Sequence, residues 1–145
     1  MRLNSIVLML VISAATFVAT ATRADELEDI DYRQHIMKTM GEQMAAIQQI
    51  VQKKAPADNF AAHLQIVAVT AATAKAAFTP ESPGGRAKSD VWSKWPDFSK
   101  RLDELVASTA ALAKSAKESG VPGTAAKLDT LKCKSCHDVY REEEK

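Results

Sequence analysis

The sequence predicts an all-α protein that folds as an antiparallel, up-down-up-down four-helix bundle. Apolar side chains recur at helical spacing, since Ile30, Met37, Met44 and Val51 lie seven residues apart. Stretches rich in Pro and Gly divide the chain, and none of the sequence between them alternates polar and apolar residues as a half-buried strand would. Helices joined by short connections pack as antiparallel neighbours in a bundle.

The first two helices follow from their apolar spacing and their ends. The first is predicted over residues 26–54 and stops before Pro56, because a residue that precedes proline avoids the helical region. The second begins near Phe60 and is rich in alanine, the best helix former. It ends at TPESPGGRAK, residues 79–88, which is the most loop-like stretch of the chain.

The third and fourth helices are separated by GVPG, residues 120–123. The third carries an apolar stripe that starts at Phe98, and Pro96 either occupies its first turn or kinks a helix that begins nearer Asp90. The fourth is predicted over residues 124–143. Its apolar face is short, and a cluster of cysteine and histidine follows it.

Composition indicates one ordinary globular domain. The chain has 145 residues, of which 26% are charged and 46% hydrophobic, with five Gly and five Pro. The formal net charge of +1 gives no basic field of the kind that binds nucleic acid, so a nucleic-acid partner is not expected.

The N-terminus has the layout of a secretory signal peptide. An uncharged apolar run, residues 6–19, follows a short positive start and precedes small residues, with cleavage predicted after Ala21 or Ala24. An uncleaved anchor is the alternative, although the run is short for a membrane span. We therefore expect a signal peptide over residues 1–24 and a single domain over residues 25–145 that does not contact a membrane after cleavage.

Both cysteines of the chain lie in one short motif, C-x-x-C-H, formed by Cys133, Cys136 and His137. On a helix these residues are three and four apart and share one face. Two thiols can add to the two vinyl groups of a porphyrin, and the adjacent imidazole then reaches the iron from one side. This spacing predicts covalent attachment of one haem c.

Two other kinds of cysteine site fit the sequence less well. A thioredoxin-like redox pair normally opens a helix that follows a strand, and no strand is predicted here. A tetrahedral zinc site needs about four ligands. Beyond the motif, the chain offers only His35 and His63, neither at ligand spacing.

Antiparallel packing places the first helix opposite the haem motif. His137 should face roughly residues 32–40, so Met37 and Met40 are both within reach of the iron. Met37 is the preferred candidate for the second axial ligand, because its neighbours support it. Gly41 follows one turn later, where a missing side chain would let a flat macrocycle approach the backbone. Arg33 precedes by one turn, in an inward position where a charge needs a partner such as a haem propionate.

Methionine at helical spacing is also typical of plain core packing, so a core role for Met37 stays open. His35 is predicted to face solvent and His63 to lie at the rim of the second helix. A bis-histidine haem is therefore not expected.

These residues together resemble the class II c-type cytochromes, the cytochrome c′ family. The resemblance covers essentially the whole chain after the signal peptide and is carried by YRQHIM, VWSKWPDF and CKSCHDVYR. It implies thioether anchors at Cys133 and Cys136, and His137 as the proximal ligand. It also implies a propionate-side arginine at Arg33 and an arginine beside the proximal histidine at Arg141.

The family divides at the distal position, which falls on Met37. High-spin members place a non-coordinating residue there, often leucine, and bind NO and CO, whereas a low-spin subgroup places methionine there. The resemblance therefore implies His137/Met37 ligation and a low-spin iron. The remainder of the pocket is expected to come from Trp92 and Phe98, together with the apolar residues Leu128 and Leu131.

The function expected from this ligation is electron transfer by a bacterial periplasmic cytochrome that is not an enzyme. Imidazole and thioether ligands would keep the iron low-spin in both oxidation states, and thioether sulfur raises the potential. The expected partners are redox proteins, with a homodimer as the assembly that the family implies. The alternative is a high-spin protein with an open sixth position that binds or buffers NO or CO.

Overall fold

The computed structural model describes the backbone of residues 3–143 and the side chains of residues 24–143. Its α-helices are α1 (Leu3–Val51), α2 (Phe60–Ala77), α3 (Asp90–Ser93), α4 (Trp95–Thr124) and α5 (Cys133–Tyr140). Short 3-10 helices occupy Ala57–Asn59 and Ala125–Thr130. Helices α1, α2, α4 and α5 are the four members of the bundle, and α3 is a single turn that leads into α4. The predicted all-α four-helix bundle is confirmed.

Helix α1 begins at Leu3, well before the predicted start at residue 26. The apolar run that was assigned to a signal peptide continues the helix backwards without a break. Apart from Ala24, the predicted signal peptide, residues 1–24, lies outside the side chains that the structure describes. At its other end α1 stops at Val51, five residues before Pro56, as expected.

Helix α2 is the central helix and packs against both α1 and α4. Six of its residues are buried: Phe60, Leu64, Val67, Ala71, Ala74 and Ala77. Among the described residues, the segment Ala57–Ala77 is long and apolar enough to cross a membrane by length and composition, with a hydropathy of 1.2. Contact with helices on two sides accounts for this apolar composition in a core helix.

Helices α3 and α4 are separated at Lys94, whose backbone leaves the helical region (φ −116°, ψ 34°). Pro96 lies in the first turn of α4, where its missing N–H costs nothing. The first of the two predicted positions for Pro96 is therefore correct.

The predicted fourth helix over residues 124–143 is wrong in its continuity. Gly120 has φ 58° and ψ −158°, which breaks α4 as the GVPG stretch predicts, but the chain then resumes a helical course to Thr124. A 3-10 segment and a non-helical corner at Leu131 (φ −77°, ψ 89°) follow before α5 begins at Cys133. The apolar face of this region is too short to hold one regular helix against the bundle.

The buried residues form two hydrophobic clusters along the bundle. The first lies at the α3 and α5 end and contains Met40, Ala71, Ala74, Ala77, Phe78, Val91, Phe98, Leu102 and Tyr140. The second lies towards the end of the bundle with the 3-10 helix Ala125–Thr130 and contains Ile47, Ile50, Phe60, Leu64, Val67, Leu112, Ala113, Ala116 and Leu131. We call these the first and second clusters, and Leu105 packs against both.

Candidate haem-binding site

The C-x-x-C-H motif forms the first two turns of α5. Cys133 is exposed, whereas Cys136 and His137 are half-buried. Helical spacing puts the three side chains on one side of α5, as the sequence predicts. Helix α5 packs against α3 and α4 rather than closely against α1. The position of the motif therefore depends mainly on α3 and α4.

The pKa values of His137 and Cys136 suit a haem-attachment site in which the imidazole binds iron. Burial lowers the pKa of His137, and the positive charges of Arg141 and Arg86 lower that pKa further. The imidazole is therefore neutral near pH 7, which is the form that binds iron. Burial raises the pKa of the Cys136 thiol, so this cysteine lacks the thiolate character that a reactive redox cysteine needs.

Arg33 is a buried guanidinium on α1, with 2% of its surface exposed. Its Nη2 donates to the carbonyl of Gly84 at 2.9 Å, and the guanidinium carbon lies 5.3 Å from the centroid of a Trp92 ring and 5.8 Å from that of Phe78. Its Nη1 is buried and has no hydrogen-bond partner among the described residues. A buried donor without a partner is costly. The residues therefore fit a group that brings a carboxylate, as a haem propionate would.

Met37 is half-buried and packs against the first cluster, and so does Cys136. The fold thus brings the predicted distal residue and the haem motif to the same end of the core. Met40, one turn away, is itself a buried member of that cluster. Gly41 is exposed, and no atom lies within 4 Å of the place that a Cβ would take, so the space beside it is open.

Trp92 and Phe98 both belong to the neighbourhood of the first cluster. The Trp92 indole N–H donates to the carbonyls of Phe78 and Pro80, at 3.0 Å each. Phe98 is buried, and its ring centroid lies 5.0 Å from those of Phe78 and Tyr140.

The other two expected pocket residues lie elsewhere. Leu131 is a member of the second cluster and Leu128 packs against that cluster, so the expectation that they share a pocket with Trp92 and Phe98 is wrong. The non-helical corner at Leu131 separates these residues from α5.

Arg141 follows α5 directly and is exposed. Its backbone N–H donates to the His137 carbonyl at 2.9 Å, and its backbone pairs with Ala87 in an isolated β-bridge. The expected position beside the proximal histidine is consistent with this geometry.

The remaining histidines lie where they were expected. The side chain of His35 is 71% exposed and pairs with Asp31. The His63 Nδ1 lies 2.7 Å from the Gln43 amide oxygen, in a half-buried position between α1 and α2.

Sequence reasoning missed the polar residues that hold α5 in place. The Tyr140 hydroxyl donates to Asp97, and Arg101 donates to the same carboxylate at 2.7 Å. A helical i, i+4 pair of Asp97 and Arg101 was visible in the sequence, but nothing in the sequence alone joins it to a tyrosine 43 residues away. The segment 84–88, which pairs with the residues after α5, was expected only to be a loop.

Comparison with known proteins decides the family. A family model described as Cytochrome C′ matches residues 28–141. The chain is 32% identical over 122 residues to a cytochrome c′ of Pararhodospirillum photometricum, which covers 78% of this chain and 95% of that protein. The chain belongs to the cytochrome c′ family. A cytochrome c′ of Alcaligenes xylosoxydans xylosoxydans is 25% identical over 116 residues, covering 77% of this chain and 91% of the other.

Solved cytochrome c′ structures share the fold. A nitric oxide complex of a cytochrome c′ variant from Alcaligenes xylosoxidans superposes with a TM-score of 0.75 at 24% identity, over 81% of this chain and 97% of that one. A carbon monoxide complex of another variant gives the same TM-score, identity and coverage. The cofactor of the family is one covalent haem c, and the C-x-x-C-H motif on α5 supplies two thiols for it.

Family membership corrects the functional prediction. The expected low-spin electron carrier with His137/Met37 ligation is wrong, because the family model and the relatives that match this chain are cytochromes c′, the high-spin members of the family, which are known for binding NO and CO. The prediction depended on the resemblance of one position, Met37, to the low-spin subgroup. In the structure, Met37 packs against the first cluster as an apolar core residue does.

Proposed function

We propose that this protein is a high-spin c-type haem protein that binds small diatomic gases, NO and CO, at an open sixth position of its iron. Membership of the cytochrome c′ family carries this proposal. Support also comes from relatives of the same fold that were solved with nitric oxide and with carbon monoxide bound.

Different residues of the chain would anchor the cofactor covalently, bind its iron and pair with its carboxylate. Cys133 and Cys136 would anchor it covalently, and His137 would supply the proximal imidazole. Arg33 would donate its free Nη1 to a carboxylate, while its Nη2 stays on Gly84. Haem iron supplies the coordination position at which a gas binds.

The distal wall would come from the apolar part of α1. Met37 and Ile36 pack against the first cluster, and Met40 is buried within it. A wall of this kind excludes water and admits a small neutral ligand. These apolar residues cannot move a proton, so we propose reversible ligand binding rather than an enzymatic reaction.

We also propose export to the periplasm, after removal of residues 1–21 by cleavage following Ala21 or of residues 1–24 by cleavage following Ala24. A covalent attachment would prevent loss of the cofactor outside the cytoplasm. Intact mass of the protein from a periplasmic fraction would distinguish the two cleavage sites, and an uncleaved chain in the membrane fraction would contradict the proposal.

A homodimer through α1 and α2 is the assembly that we propose. Large apolar side chains are exposed on both helices: Leu27 (61%), Ile66 (42%) and Val69 (59%). Light scattering should give the mass of two chains for the wild-type protein and of one chain for Val69→Lys. An unchanged mass in the variant, or a monomeric wild type, would count against this surface.

The main test is an optical titration of the haem-loaded protein, ferric and ferrous, with CO. We expect broad high-spin bands that shift on addition of CO, in the wild type and equally in Met37→Leu, because leucine keeps an apolar distal wall. Split low-spin ferrous bands that ignore CO in the wild type, but respond in Met37→Leu, would refute the open sixth position. Absence of covalent haem would refute the whole proposal.

A further inference from the structure

Helix α5 carries the haem motif but cannot hold its own position. It has eight residues, too few for a stable helix without tertiary contacts. Tyr140 is its one buried residue. The placement of His137, one turn before Tyr140, therefore depends on what Tyr140 contacts.

Tyr140 is held by a closed set of contacts from the first turns of α4. Its hydroxyl donates to the Asp97 carboxylate at 2.5 Å, and the same carboxylate oxygen accepts from the Arg101 Nε at 2.7 Å. The Arg101 guanidinium also lies over the Tyr140 ring, 5.7 Å from its centroid. Each of the three side chains contacts the other two, which fixes their geometry more firmly than a single hydrogen bond could.

The network reaches α5 at a second point. Arg101 Nη1 donates to the carbonyl of Ser135 at 3.4 Å. Helix α5 is thus held at Ser135 and at Tyr140, and the two positions between them that bear on the haem are Cys136 and His137. At its far end, the Tyr140 carbonyl accepts from the backbone N–H of Lys88 at 3.0 Å.

The hydroxyl of Tyr140 remains a donor throughout the physiological range. Burial, followed by its hydrogen bond to Asp97, raises the pKa of Tyr140 to about 12. The same hydrogen bond and that from Arg101 lower the pKa of Asp97, so the carboxylate stays charged and accepts both donors.

We propose that Asp97, Arg101 and Tyr140 form a positioning network that sets the angle of α5 against α4 and thereby the strength of the bond between His137 and iron. Metal-ligand bonds are directional, and residues outside the ligand set tune them by fixing how the ligand is presented. The consequence for gas affinity rests on the proposed function, whereas the consequence for the haem potential does not.

Tyr140→Phe in the haem-loaded protein tests the network, with Tyr32→Phe as the matched control, since Tyr32 is exposed on α1. The readouts are the haem reduction potential, the CO dissociation rate and the melting temperature. We expect Tyr140→Phe to shift the potential beyond any shift in the control. The CO dissociation rate should change by about threefold to tenfold, which converts to roughly 0.6 to 1.4 kcal/mol. A lower melting temperature with the potential and the CO rate unchanged would overturn the proposal, because Tyr140 would then only stabilise the fold.

A double-mutant cycle separates a network from independent effects. If Tyr140 acts through Asp97, the potential of Asp97→Asn/Tyr140→Phe should equal that of the more affected single variant. Additive shifts would overturn the proposed connection. A wild-type protein that fails to bind CO would sink the proposed function, and the potential measurements would still decide whether the network positions His137.

Discussion

Replacing Arg33 by methionine tests whether the buried guanidinium pairs with a haem carboxylate. The structure gives Arg33 one hydrogen bond, to the Gly84 carbonyl, and two aromatic neighbours. The hydrogen bond contributes about 2 kcal/mol, and each aromatic contact about 0.5 kcal/mol. Removal of the buried, unpaired Nη1 stabilises the protein by about 2 kcal/mol, which offsets most of that loss. If no carboxylate pairs with Nη1, Arg33→Met should therefore lower the free energy of unfolding by only about 1 kcal/mol.

A carboxylate on Nη1 changes this result by a measurable amount. The donor is then satisfied, so nothing is regained on its removal, and a charge-assisted bond of about 2 kcal/mol is lost as well. We expect Arg33→Met to lower the free energy of unfolding by about 5 kcal/mol in the haem-loaded protein.

Urea titration measures this difference cleanly, because a covalent haem stays with the chain in both the folded and the unfolded state. Lys38→Met is the control, since Lys38 is exposed on the same helix and its loss should cost no more than about 0.5 kcal/mol. A loss below about 2 kcal/mol for Arg33→Met would show that Nη1 has no carboxylate partner.

Three further perturbations test the core, the break in α4 and the contact at Tyr140. Phe98→Ala should lower the free energy of unfolding by about 3–5 kcal/mol in urea, because Phe98 is buried among aromatic rings. A cost under about 1 kcal/mol would contradict that packing. Gly120→Ala should lower the free energy of unfolding by about 1–3 kcal/mol, because the backbone at φ 58° and ψ −158° is strained for any residue except glycine. A new Cβ would add no clash, since its nearest contact lies at 3.7 Å. An unchanged melting temperature would mean that the chain can relax there. Folding raises the pKa of Tyr140 from 10.0 to about 12. The stabilisation linked to this shift is complete at pH values below the unfolded-state pKa and is lost as the pH rises through the folded-state pKa. The free energy of unfolding of the wild type should therefore fall relative to that of Tyr140→Phe between pH 10.0 and about 12. Parallel curves for the two proteins would rule out the raised pKa.

Much of the bundle could be predicted from local patterns. The stripe through Met37, the alanine-rich second helix and the position of Pro96 each depend on neighbours within a turn or two, so periodicity and proline chemistry were sufficient. The last region could not be predicted in the same way. Its helical residues 133–140 form a separate short helix because a 3-10 segment and the corner at Leu131 interrupt the chain, and no single residue type marks that corner.

The sequence likewise predicted one part of the site and not another. The spacing of Cys133, Cys136 and His137 defines the attachment chemistry in five residues, so the covalent haem was predictable. The role of Met37 was not, because a methionine at helical spacing serves equally as a ligand and as core, and membership of the family decided against the ligand.

The sequence by itself determined the helical class, the order of the long helices and the chemistry of the haem motif, because these depend on periodicity and on residues close together in the chain. The tertiary structure alone decided the contacts of Arg33 with Gly84, 51 residues away, and of Tyr140 with Asp97, 43 residues away. Contacts over such separations follow from how whole helices pack, and that packing depends on the summed burial of two clusters rather than on any local pattern.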